Sequence, residues 1–284
     1  MWFFGCRTRS GLAMLAYIFL SGFHAKNLYA AAEFSGPLPE PHQPYIGVII
    51  DDLGVNYQRG LRTVQLPGPV ACAFLPDARH ASELAQKAHA NYKEVMLHLP
   101  MEPMDASVGV DPGALTSSMS HQEFILMIRE GLAKVPHVTG VNNHMGSLIT
   151  RHAGHMAWLM QELGNHGDLF FIDSRTDKRT VAYATAQAYG LPSLSRDVFL
   201  DNKATAAEVA FQFDRLLQLA KKNGYAIAIG HPYDVTLTLL EKRLAKLDQE
   251  GVQLAPISVI LEFADKRNGR WQASLSPSHK AVKN

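Results

Sequence analysis

Short apolar runs that stop at polar residues recur along the chain. The first, Tyr45-Ile-Gly-Val-Ile-Ile, is rich in β-branched residues and ends at Asp51-Asp52-Leu-Gly54. So short and uniformly apolar a run reads as a strand covered on both faces, as in a parallel sheet flanked by helices. The same reading gives strands at Val70 to Leu75, Glu94 to Glu102, Gly140 to Ser147, Asp168 to Thr176, an irregular Leu191 to Asp201, Tyr225 to Tyr233 and a last strand at Val252 to Leu261. Helical spacing fills the gaps: Asn56 to Thr63, Ala78 to Ala90 capped by Asp77, Gly154 to Leu163, and Thr180 to Tyr189 stopped by Gly190. Two capping boxes, Ser120-His-Gln-Glu123 and Thr205-Ala-Ala-Glu208, open further helices, and another runs to Glu250 before Gly251.

Strand and helix alternate without a composition shift or an internal repeat. Seven or eight such units predict one α/β domain, a closed or nearly closed (β/α) barrel, over residues 45–263. A doubly wound sheet is the structural alternative, weakened by the lack of a Gly-rich dinucleotide fingerprint or a phosphate-binding P-loop. The connection from Met104 to Met119 is long and rich in Gly, Pro, Ser and Asp, a candidate lid or substrate loop.

The ends differ in character. Arg7 and Arg9 precede an apolar run from Gly11 to Phe23, and Ala30-Ala31-Ala32 follows, which predicts a secretory signal over residues 1–32. The run is short for a membrane span, so a cleaved chain would carry no stable one; an uncleaved anchor is the alternative. Residues 33–44 hold four prolines and read as an extended linker, and residues 264–284 as a polar, disordered tail. Removal of residues 1–32 changes the balance from 27 basic and 26 acidic residues to 24 and 26, a net charge of −2. Neither figure makes an electrostatic case for nucleic acid. Cys6 leaves with the signal, so Cys72 stands alone without an intrachain partner and reads as a buried small hydrophobe. The expected compartment is periplasmic or extracellular.

The polar residues at strand ends are where an α/β barrel places its chemistry. Here they are Asp51 and Asp52, His98 and Glu102, His144, Asp173, Arg196 and Asp197, and His231. Two adjacent aspartates resist ionising together unless a cation or a proton intervenes. One Asp with two His suits a divalent metal of the zinc type, with room for a water. Each residue also has a structural reading: His98 as a buried histidine bonded to backbone, Glu102 as an exposed loop acid, and Asn142-Asn143 as an Asx turn ahead of His144. Asp173, Arg196 and Asp197 could pair simply to close the rim. Ser147 lacks the Gly-x-Ser-x-Gly elbow, and His-Glu-x-x-His and paired Cys-x-x-Cys motifs are absent.

Taken together, Ile49-Ile-Asp-Asp-Leu-Gly54, His98-Leu-Pro-Met-Glu-Pro103, Asn142-Asn-His-Met-Gly-Ser147, Phe171-Ile-Asp-Ser-Arg-Thr176, Ser195-Arg-Asp197 and Gly230-His-Pro232 resemble the divergent polysaccharide deacetylase family, a distant branch of the NodB-type carbohydrate esterases. The resemblance implies a distorted seven-stranded (β/α) barrel and metal-assisted removal of acetyl from an N-acetylated sugar. It assigns Asp51 as base, Asp52 as metal ligand beside His98, and His231 as general acid. The superfamily's second metal histidine falls on Glu102 here, and its Arg-Pro-Pro-Tyr segment is replaced by Asn-His-Met-Gly, which brings in His144 as the third ligand. Glu102, Asn143, Asp173, Arg196 and Asp197 are then supporting or substrate-binding candidates. The implied protein is an exported zinc hydrolase acting on cell-envelope or extracellular glycan. A glycan- or partner-binding envelope protein without catalysis is the second expectation. A metal phosphoesterase is weaker because rim cations are few.

Overall fold

A computed structural model describes residues 43–267. The predicted signal, the linker up to residue 42 and the tail from residue 268 lie outside the described residues. Strands β1 (Tyr45–Leu53), β2 (Ala71–Phe74), β3 (Val95–Met101), β4 (Val138–Met145), β5 (Phe170–Asp173), β6 (Ser193–Ser195), β7 (Val198–Phe199), β8 (Tyr225–Gly230) and β9 (Gln253–Leu254) form one sheet. Helices α1 (Tyr57–Val64), α2 (Ala81–Ala90), α3 (His121–Lys134), α4 (Ala153–Asn165), α5 (Ala182–Ala188), α6 (Ala206–Asn223), α7 (Asp234–Leu244) and α8 (Ile257–Arg267) complete the fold. The strand order is β6-β5-β4-β3-β2-β1-β8-β7, with β9 beside the start of β1, and every ladder is parallel.

The irregular sixth run accounts for the distortion. It splits into β6 and β7, the two outer strands of that order, joined only by Arg196-Asp197. The Arg196 N–H donates to Asp173 O on one side of the gap and the Asp197 N–H to Ile227 O on the other. The chain itself therefore spans the opening of a curled, barrel-like sheet.

Period-two alternation sorts the side chains of each strand between two apolar layers. Ile46, Val48 and Ile50 face the helices, among Phe124, Phe213 and Leu84. Tyr45 and Ile49 face inward with Met96, Ile172, Ile227 and Ile229. The inner layer is closed from below by α8. This helix starts within the strand predicted from Val252 to Leu261 and extends past the predicted domain end to Arg267. β-branched content suggested a strand, but Ile257, Ile260, Leu261 and Ala264 follow helical spacing and all lie in the inner layer. Glu94 caps α8, accepting from the N–H groups of Ile257 at 2.6 Å and Ser258 at 3.0 Å. Gly47 makes room for the helix, since a Cβ there would stand 2.6 Å from the Ile257 Cδ1. Asp77 is not the predicted cap of α2; it pairs with Lys134 at 2.6 Å, and the helix begins after His80.

Candidate metal centre

The alternation that buries Ile49 and Met96 also turns Asp51 and His98 inward, and Ile229 does the same for His231 two residues on. On β4 the inward set is Gly140, Asn142 and His144; a Cβ on Gly140 would collide with the Phe170 ring at 2.2 Å. β3 and β4 pair in register, His98 with Asn142 and Pro100 with His144. Asp52 would point outward in a regular strand. Its φ of 56° breaks the alternation and brings its carboxylate back to the site; Asp tolerates this left-handed backbone better than most residues.

Asp52, His98 and His144 form one group whose ligand atoms all lie within 4.8 Å of one another. His98 Nε2 is 3.3 Å and His144 Nδ1 3.1 Å from Asp52 Oδ1, and the two ring nitrogens are 3.0 Å apart. The hydrogen-bond network fixes what those nitrogens carry. Asn142 Nδ2 donates to Asp51 Oδ1 at 2.8 Å, so its Oδ1, 2.9 Å from His98 Nδ1, accepts a proton from that ring. The Asp111 carboxylate stands 2.8 Å from His144 Nε2 and accepts there. In the neutral rings, His98 Nε2 and His144 Nδ1 are consequently bare lone pairs. They face each other and Asp52 Oδ1, a buried oxygen with no hydrogen-bond donor. Three acceptors converging without a proton between them are the donor set of a divalent cation, each imidazole backed by an oxygen on its far nitrogen. Were the two rings protonated instead, their N–H groups and charge would hold Asp52 well below the usual carboxylate range against its burial, so a cation and a proton compete for the same place.

Asp51 and His231 flank this group. Asp51 is 2% exposed, and burial raises its pKa against the lowering influence of His98, His231 and Asn142. Its Oδ2 is 3.6 Å from His98 Nε2. His231 directs Nε2 to within 3.7 Å of Asp52 Oδ2, while its Nδ1 is 2.9 Å from Asp201 Oδ1. Burial pulls the His231 pKa down, but the Asp201 hydrogen bond and charge prevail and raise it. Asp201 Oδ2 also accepts from His231 N at 2.7 Å and Thr236 Oγ1 at 2.7 Å, fixing the carboxylate rigidly.

The supporting candidates separate from this cluster. Glu102 does not join it: its Oε2 accepts from Ser117 N at 2.6 Å and anchors the 104–119 loop. Asn143, one residue out of phase with His144, binds Ser174 N and Met145 O and ties β4 to β5. Asp173 shares the outward parity of Phe171 and accepts from Arg175 N, Thr180 Oγ1 and Tyr183 N at the start of α5. Asp197 accepts from Ile227 N. Arg196 pairs with neither acid; it donates to the carbonyls of Ser174 and Arg175. The sequence reading missed Asn142, Asp111 and Asp201. Asp201 ends an apolar run just as Asp51 does, and Asn142 shares the phase of His144, so both carried a signal; Asp111 sits in a loop and carried none. Cys72 is buried, which pushes its thiol up to about 12 and suits the inert reading.

The model for divergent polysaccharide deacetylases matches residues 48–261. YibQ of Escherichia coli strain K12, an uncharacterized protein, is 37% identical over 217 residues, covering 76% of this chain and 67% of YibQ. Among solved structures, the uncharacterized protein ATU2773 of Agrobacterium tumefaciens C58 matches with a TM-score of 0.75 at 22% identity, over 79% of this chain and 92% of that one. A mutant of the peptidoglycan deacetylase PdaC from Bacillus subtilis gives 0.51 at 13% identity, over 84% and 100%. A mutant of BA3943, described as a CE4 family pseudoenzyme with restored enzymatic activity, gives 0.50 at 13% identity, over 78% and 69%. These structural likenesses show a shared fold, and the family match spans nearly the whole domain: the chain belongs to the divergent polysaccharide deacetylase family.

Proposed function

We propose that this protein is an exported, zinc-dependent hydrolase that removes acetyl groups from N-acetylated sugars of cell-envelope or extracellular glycan. The observation that carries the proposal is the convergence of two imidazole lone pairs and the unpartnered Asp52 oxygen beside a buried acid and an Asp-paired histidine. Asp52, His98 and His144 would hold the cation, which would supply a Lewis acid for the amide carbonyl and raise the acidity of a water. Asp51, kept basic by burial, accepts the proton that this water loses as its oxygen attacks the carbonyl carbon. Asn142 holds Asp51 and fixes the His98 tautomer through one amide. His231, whose pKa Asp201 raises, donates from Nε2 to the departing amine, so the C–N bond breaks to give acetate and a free amino sugar. Export rests on residues 1–32; among the described residues no helix is long and apolar enough to cross a membrane.

The likeness to a CE4 pseudoenzyme supports a second reading, a barrel that binds glycan without cleaving it. Purified protein, assayed for acetate release from N-acetylated oligosaccharides before and after chelation, separates the two. Release that disappears with the metal and returns with zinc supports the hydrolase. Glycan binding that persists in Asp52→Asn, with no acetate released by the parent, supports the binding protein.

A further inference from the structure

The Phe199 ring stands edge-on to His231, with centroids 5.2 Å apart, and carries the Arg196 guanidinium 4.8 Å from its centroid. Both residues also line a cavity of about 610 Å³, whose wall includes the cations Arg175, Lys178 and Arg215 as well. None of these four cations forms an ion pair among the described residues. The wall sets one acid, Asp197, which also accepts from the Ile227 N–H, against these four cations, so it keeps an excess of positive charge. Arg196 is held in place by the carbonyls of Ser174 and Arg175, so its position does not depend on a ligand. Ser174 supplies an independent sign. It lines the same cavity, is only 4% exposed, and its hydroxyl has no hydrogen-bond partner. A buried orphan hydroxyl in the same wall as four cations without ion pairs marks a site short of an anion.

We infer that this cavity is a subsite for an acidic sugar, whose carboxylate is held by the cations and the Ser174 hydroxyl, next to the N-acetylated sugar at the metal centre. The inference rests on the glycan reading proposed above. Phe199 offers a face for the C–H groups of a sugar ring and Asn202 an amide for its hydroxyls, which suits a carboxylated sugar better than a bare phosphate. The proximity of Phe199 to His231 makes the two sugars neighbours in one chain.

Titration calorimetry of the metal-loaded protein tests this with two oligosaccharides, one alternating N-acetylglucosamine with glucuronate, the other N-acetylglucosamine alone. The acidic probe is expected to bind about tenfold tighter or more at low salt. The preference disappears in Lys178→Ala/Arg215→Ala, two exposed positions, and affinity for the neutral probe stays unchanged. Equal affinity of the parent for both probes, or a preference that survives in the double variant, overturns the subsite. Inorganic phosphate that binds the parent while the sugars are not distinguished also overturns it. Acetate release is scored separately: preference without acetate from either probe retires the hydrolase and keeps the subsite, and acetate without preference retires the subsite alone.

Discussion

His98 Nε2 stands 3.0 Å from His144 Nδ1, and in each ring the opposite nitrogen is held by an oxygen, of Asn142 in one and of Asp111 in the other. The two supports differ in burial, and so should their loss. Asn142 is fully buried and serves both His98 and Asp51. Asn142→Ala should lower metal affinity by roughly 10–100-fold and stability by about 1–3 kcal/mol, because two buried groups lose their partner. The Asp111 side chain is 44% exposed, so Asp111→Ala should fall at the weaker end, about tenfold in affinity with little change in melting temperature. Metal titration and thermal denaturation of the two variants check the order.

Asp52 combines a charge with a left-handed backbone, and substitutions can part the two. Asn tolerates φ of 56° as Asp does, whereas Ala pays about 1–2 kcal/mol for it. Asp52→Asn should therefore melt above Asp52→Ala, while neither retains metal. Chemical denaturation with metal analysis of both proteins reads the two effects independently.

Asp201 raises the pKa of His231, so its removal has a directional effect. If His231 must be protonated to release the amine, activity falls as pH rises through that pKa. Asp201→Asn lowers it, and the alkaline limb of kcat should move to lower pH. At neutral pH kcat should drop with KM nearly unchanged. A pH–rate profile that keeps its alkaline limb in place would remove His231 from the acid role.

Much of the site was legible in the chain before its folding was known. Apolar runs ending in acids or histidines marked β1, β3, β4 and β8, and those ends do converge. Counting by twos from Ile49, Met96, Ile172 and Ile229 would have gone further, separating the inward Asp51, His98 and His231 from the outward Asp173. What could not be read was partnership across distance. Asn142 has meaning only because β3 and β4 pair in register, and Asp111 only because the loop returns over His144. Similarly, α8 was hidden because Val, Ile and Leu favour strands locally, while its helical stripe is fixed by the barrel floor it fills.

One stability linkage lies away from the site. Glu162 on α4 accepts from Arg129 Nε at 2.7 Å, and this hydrogen bond, with a lesser one from His166, holds its carboxyl below the ordinary glutamate range despite burial. A depressed folded-state pKa contributes stability that is present above the unfolded value and is lost as pH falls through the folded one. Melting temperature should thus decline on acidification below the usual glutamate range, and Glu162→Gln should flatten that part of the decline. At neutral pH the variant should be less stable by about 1 kcal/mol, a modest figure because Arg129 is 59% exposed.

The most direct measurement is metal stoichiometry in the purified protein and in His98→Ala and His144→Ala, by elemental analysis after equilibration with zinc. About one equivalent is expected in the parent and a near-complete loss in both variants, with their folds intact by circular dichroism. A parent that takes up no zinc, or variants that keep the full equivalent, would contradict the metal centre.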